Sequence, residues 1–85
     1  MPQVQRLGDL NEEGGEITDV PQGNVYANEL LISVDGSDVD DGNDVTANGS
    51  PTVFINGMPV NRLGDEDEES GIPRADGSGT VFVGP

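Results

Sequence analysis

A period of 28 residues constrains this chain more than any other feature. Val25-Tyr26, Val53-Phe54 and Val81-Phe82 recur at that interval, as do Gly8, Gly36 and Gly64, and the acids Glu13, Asp41 and Glu69. Three times 28 is 84 and the chain has 85 residues, so the repeat takes in nearly all of it. A fixed period through a short chain means one supersecondary unit copied, each copy too small to bury a core by itself. Three copies favour closure around a pseudo-threefold axis over an open solenoid. The reading is one domain, 1–85, with repeats at approximately 1–28, 29–56 and 57–85. A face with that symmetry is a natural seat for a trimer.

Each repeat follows one order. A turn comes first, at Arg6-Leu7-Gly8-Asp9, Val34-Asp35-Gly36-Ser37 and Arg62-Leu63-Gly64-Asp65. An acidic, Gly-containing loop follows, then a second turn at Pro21-Gln22-Gly23, Gly49-Ser50-Pro51 and Gly77-Ser78-Gly79. The best strand candidates come next: Asn24-Val25-Tyr26-Ala27, Thr52-Val53-Phe54-Ile55 and Thr80-Val81-Phe82-Val83. Ile55-Asn56-Gly57-Met58 predicts a hairpin, because Asn-Gly supplies the two positive φ residues of a type I′ turn. Asn28-Glu29 is a weaker version of the same turn, with Leu30-Leu31-Ile32-Ser33-Val34 returning. Pro59 confines its return strand to an edge or a strand start. In the third repeat the chain stops at Gly84-Pro85, before any return strand. Gly and Pro interrupt every helical window, so the expected class is all-β with much irregular loop.

Composition narrows the function classes. The net charge is −14, with no Lys and only Arg6, Arg62 and Arg74 as cations. Nucleic-acid phosphates need cationic contacts, so nucleic-acid binding is disfavoured, and an anionic membrane surface would repel the chain. No apolar run reaches spanning length, and Met1-Pro2-Gln3-Val4 shows no signal peptide. The chain has no Cys and no His, which removes disulfides, the usual zinc ligands and the common nucleophile–base pairs. The expectation is a non-enzyme. Only 32% of residues are hydrophobic, so the small core calls for a staple: a docking partner or an oxygen-ligated metal. Val25, Tyr26, Val53, Phe54, Val81 and Phe82 are the expected core, with the rings clustered near the axis.

The segment Gly49-Ser50-Pro51-Thr52-Val53-Phe54-Ile55-Asn56-Gly57-Met58-Pro59-Val60-Asn61-Arg62-Leu63-Gly64-Asp65 resembles the signature of PAAR-repeat proteins. The Pro-Ala-Ala-Arg motif of that family reads Pro59-Val60-Asn61-Arg62 here. Arg6-Leu7-Gly8-Asp9 and Gly77-Ser78-Gly79-Thr80-Val81-Phe82-Val83-Gly84 fit the same family in order. The resemblance implies a small conical β-fold whose blunt base caps the trimeric β-helical spike of a contractile injection machine. Such a machine is a phage tail, a type VI secretion system or a related particle. The implied role is a structural, membrane-piercing tip, one copy per trimer, at the end of a virion tail or particle. It would touch the target membrane only while piercing it. The resemblance also implies an apical metal held by three His and one Cys, neither of which this chain contains, so no zinc is expected.

Other candidate sites follow from the repeat. Threefold geometry would bring Glu13, Asp41 and Glu69 together at the apex, where oxygen ligands suit Ca²⁺ or Mg²⁺. The simpler reading leaves these carboxylates splayed into water. An EF-hand is not supported: counted from Asp38, Gly42 falls at position 5 and Gly49 at position 12. Leu30, Leu31, Met58 and Pro59 are the candidates to face a spike, with packing inside the hairpins as their plain alternative. Arg6 and Arg62 read as local partners for carboxylates. The alternative function is a small acidic divalent-cation-binding module.

Overall fold

The computed structural model describes residues 2–40 and 44–84. Turn residues cut the chain so often that no strand among the described residues exceeds three residues. The strands are β1 (Ile17–Asp19), β2 (Tyr26–Ala27), β3 (Leu30–Leu31), β4 (Asp38–Val39), β5 (Asp44–Val45), β6 (Phe54–Ile55) and β7 (Met58–Pro59), and the described residues form no helix. All pairing is antiparallel: a three-stranded sheet in the order β1-β4-β5, and two hairpins, β2-β3 and β6-β7. The chain is all-β, as expected.

Both hairpins form where the turn chemistry predicts. Ile55 pairs with Met58 around Asn56 (φ 52°) and Gly57 (φ 81°). Ala27 pairs with Leu30 around Asn28 (φ 53°) and Glu29 (φ 70°). Two positive φ values are the type I′ signature, so Glu29 occupies a position where glycine would be unstrained. The turns at Gly8, Gly36 and Gly64 also form, with φ of 92°, 91° and 91°. Each closes with the bond expected of a β-turn: Asp9, Ser37 and Asp65 donate their N–H groups to the carbonyls of Arg6, Val34 and Arg62 at 2.9, 3.1 and 3.0 Å. Positive φ at the third turn position requires glycine. Space does not, because a Cβ at any of the three would meet nothing within 4 Å.

The centre is a closed ring of backbone. Ser33 N–H donates to Gln5 O at 2.9 Å, Asn61 N–H to Ser33 O at 2.9 Å, and Gln5 N–H to Asn61 O at 3.0 Å. All three residues are fully buried. Beside them lie Val4, Ile32 and Val60, with Val34, Ile17, Val20 and Ala27 completing the apolar cluster. The segment Pro59-Val60-Asn61-Arg62 is thus central: Val60 and Asn61 are buried there.

Two expectations change. First, the C-terminal segment does find a pairing partner, and the N-terminus supplies it. Gln3 bridges Phe82, Val83 N–H donates to Pro2 O at 3.0 Å, and Val4 N–H donates to Val81 O at 3.0 Å. Second, the aromatic rings are not the core. Tyr26, Phe54 and Phe82 are 57%, 52% and 46% exposed. The pleat alternates side chains between faces, and Ala27, buried, takes the inward place beside Tyr26. Val25 is exposed, while Val53 and Val81 are half-buried against the core. The principal extents are 26 × 24 × 22 Å.

Candidate functional site

The exposed rings sit on stiff supports. A buried polar side chain precedes each one and caps the approach to it. Ser50 Oγ accepts from Thr52 N–H and Val53 N–H at 3.2 and 3.0 Å. Ser78 Oγ accepts from Thr80 N–H and Val81 N–H at 3.1 and 2.9 Å. Gln22 Oε1 accepts from Asn24 N–H and Val25 N–H at 3.0 and 2.9 Å. Ser50 N–H and Ser78 N–H reach the carbonyls of Val60 and Val4 at 2.8 Å each. Gln22 makes the matching bond to Ile32 O with its side-chain amide, at 2.9 Å. These caps escaped the sequence reading, although 22, 50 and 78 are spaced by 28 and lie in the predicted turns.

The segments that carry the rings are nearly free of carboxylates. Of 17 acidic residues, only Glu29 falls within 22–34, 50–62, 78–85 or 1–6. Arg6 and Arg62 stand at the ends of these segments and are neutralised in place. Arg6 Nε lies 3.0 Å from Asp9 Oδ2, and Arg62 Nη2 lies 2.8 Å from Asp65 Oδ1. The hydrogen bond to the carboxylate, outweighing partial burial, raises each guanidinium above its ordinary pKa. These segments are thus aromatic and close to neutral in charge. Of the residues expected to face a spike, Leu30 is exposed, whereas Leu31, Met58 and Pro59 are half-buried. Leu31 and Met58 pack on the core.

The acidic loops behave differently from the expected triplet. Glu13 and Glu69 are exposed, and Asp41 lies outside the described residues. Among the described residues, no group of three His, Cys, Asp or Glu comes close enough to hold a metal. The loops are instead ordered by their own side chains. Asp44, 3% exposed, accepts from Glu69 N–H at 2.8 Å, Ser70 N–H at 3.0 Å and Val45 N–H at 3.0 Å. Burial alone would raise its pKa; the N–H donors outweigh that, and the pKa is lowered. Asp35 goes the other way. Desolvation raises it, despite bonds from Asn61 Nδ2 at 2.7 Å and Gly49 N–H at 3.0 Å.

Arg74 is the site that the sequence reading left without a role. Its side chain is fully buried, as is that of Asp67, and the two form a bidentate pair at 2.9 Å. Its Nε donates to Gln5 Oε1 at 2.7 Å, and its Nη2 to the carbonyls of Asp9 and Gly15 at 3.0 and 3.1 Å. Asn11 Nδ2 donates to Asp67 Oδ2 at 2.9 Å. Among the described residues, no buried side-chain nitrogen or oxygen lacks a partner. No protein-family model matches the chain, and no curated protein matches it in sequence.

Proposed function

We propose that this chain is a PAAR-like tip protein that caps the trimeric β-helical spike of a contractile injection machine, one copy per trimer. In this reading the chain is three copies of one unit closed around an axis. The closing triangle of hydrogen bonds joins residues 5, 33 and 61, and the bonds that join each hairpin to it repeat at the same interval. Ile32 and Val60 donate to the carbonyls of Val25 and Val53 at 3.0 Å, as Val4 does to Val81. The first residues of the chain complete the third copy.

One observation carries the proposal. Tyr26, Phe54 and Phe82, spaced by 28, are all exposed on capped segments that hold one carboxylate among them. In this reading the three rings share one face, and a contiguous exposed apolar patch calls for a partner. Three such groups related by a pseudo-threefold axis match an end formed by three identical chains. The acidic loops then point toward the target, where their charge limits premature adhesion to anionic surfaces. The function is mechanical: sheath force is concentrated on a small rigid body that pierces the envelope. No catalytic step is assigned.

Native mass spectrometry of the protein co-expressed with the trimeric spike of its source tests this. A complex of one tip with three spike chains is the expected mass. A tip that stays alone beside a properly trimeric spike overturns the proposal and brings forward the acidic cation-binding module.

A further inference from the structure

The His and Cys ligands that the family resemblance implies are missing from this chain, and it buries an arginine, Arg74, instead. Three carbonyls accept the N–H groups of Gly8, Gly36 and Gly64, each at 2.9 Å: those of Ile17, Thr46 and Arg74. These residues are therefore structural counterparts, and all three are buried. Only the third has a long cationic side chain. Facing them are residues 11, 39 and 67, again spaced by 28 and all buried: Asn11, Val39 and Asp67. One position thus supplies a cation, a second the matching anion and a third a neutral donor.

We infer that the Arg74 guanidinium is a built-in structural cation of this domain. It locks the loops 9–16 and 64–76 to the hydrogen-bonded centre, so their order does not depend on a bound metal. The guanidinium reaches Gln5 in the centre, the carbonyls of Asp9 and Gly15 in one loop, and Asp67 in the other. Asn11 continues the network. It donates to Asp67, and its Oδ1 accepts from Glu13 N–H at 2.9 Å and Gly15 N–H at 2.6 Å. Gln5 Nε2 donates to the carbonyl of Asp76, which ties the far end of the second loop to the same centre. Gly15 has the room this needs only because it is glycine: a Cβ there would stand 2.5 Å from Asn11 Nδ2. A planar fork with five donors can hold these groups at once; an ammonium cannot.

A buried ion pair contributes little net stability compared with an apolar pair of the same volume, so its value lies in register. That distinction supplies the test. Amide exchange is measured for the wild-type chain with and without EDTA, and for the double variant Arg74→Met/Asp67→Leu. Wild-type protection in loops 9–16 and 64–76 should be indifferent to EDTA. The double variant should keep protection at Val4, Ile32 and Val60. Its two loops should exchange at least about tenfold faster, matching the loss of charge-assisted hydrogen bonds. Loop protection that falls when EDTA is added to the wild type would overturn the inference, because an ion would then be the lock. A double variant with wild-type loop protection would overturn it too, because the pair would then only fill space. Neither readout uses the spike, so this inference and the docking proposal can fail separately.

Discussion

Removing one exposed ring at a time should weaken docking by the same amount at all three positions, with little cost to the domain itself. An aromatic side chain offers about 150–250 Å². With Tyr26, Phe54 and Phe82 at 57%, 52% and 46% exposure, each leaves roughly 100 Å² for a partner to cover. At about 25 cal/mol per Å² that is about 2.5 kcal/mol per ring, an upper bound because the seat need not cover each ring fully. A loss of about 2 kcal/mol corresponds to a roughly 30-fold weaker Kd. The assay is isothermal titration of Tyr26→Ala, Phe54→Ala and Phe82→Ala against the trimeric spike, alongside thermal melts of the isolated tip. The three Kd values should agree within about threefold, since the exposed areas differ little. The melts should shift by less than about 1 kcal/mol, as expected for surface sites. Melts that fall by about 3–5 kcal/mol would show that the rings are core after all. A single dominant ring would show that the seat is not threefold.

Two further perturbations test the local chemistry. Glu29→Gly should stabilise the isolated domain by about 0.5–1 kcal/mol, because Glu29 holds φ at 70° in a turn that favours glycine; chemical denaturation checks this, and a destabilised variant would mean that the Glu29 side chain makes a contact worth more than the strain. Asp44→Asn should cost about 1–2 kcal/mol at pH 7, because the carboxylate accepts three N–H groups and an amide cannot. The folded-state pKa of Asp44 is lowered from 3.8, so its ionised form stabilises the fold above the unfolded pKa. That contribution is lost as the pH falls through the folded value. Denaturation at pH 7 and at pH 3 should therefore show the gap between wild type and variant narrowing at the lower pH, and a constant gap would refute the role of the charge.

What the sequence made legible was backbone chemistry. Asn56-Gly57 and Gly8, Gly36 and Gly64 demand particular φ values, and the fold meets each demand where it was expected. Side-chain burial was less legible, for a reason visible at β2 and β6. A two-residue strand has no alternation to read, so hydrophobicity alone put Tyr26 and Phe54 inside. Packing put Ala27 there and left the rings outside. Polar burial was harder still. Gln5, Ser33 and Asn61 look like surface residues by type, and only the closed ring of backbone bonds places them at the centre. Arg74 drew no role from the sequence for a similar reason: its partners Gln5 and Asp67 come together with it only in the fold.

The route of the chain links these two failures. Gln3 and Phe82 meet across nearly the full length of the sequence, and the central ring joins Gln5, Ser33 and Asn61, each 28 residues from the next. None of the three can be judged from its neighbours in sequence. The same closure explains how so few apolar residues suffice. Among the described residues, buried polar residues outnumber buried apolar ones, yet each buried side-chain nitrogen and oxygen has a partner. Hydrogen-bond satisfaction, rather than apolar area, therefore defines one structure. That arrangement frees the rings from core duty. A domain held by its polar centre can leave three aromatic side chains outside without unfolding, which is what a docking face requires.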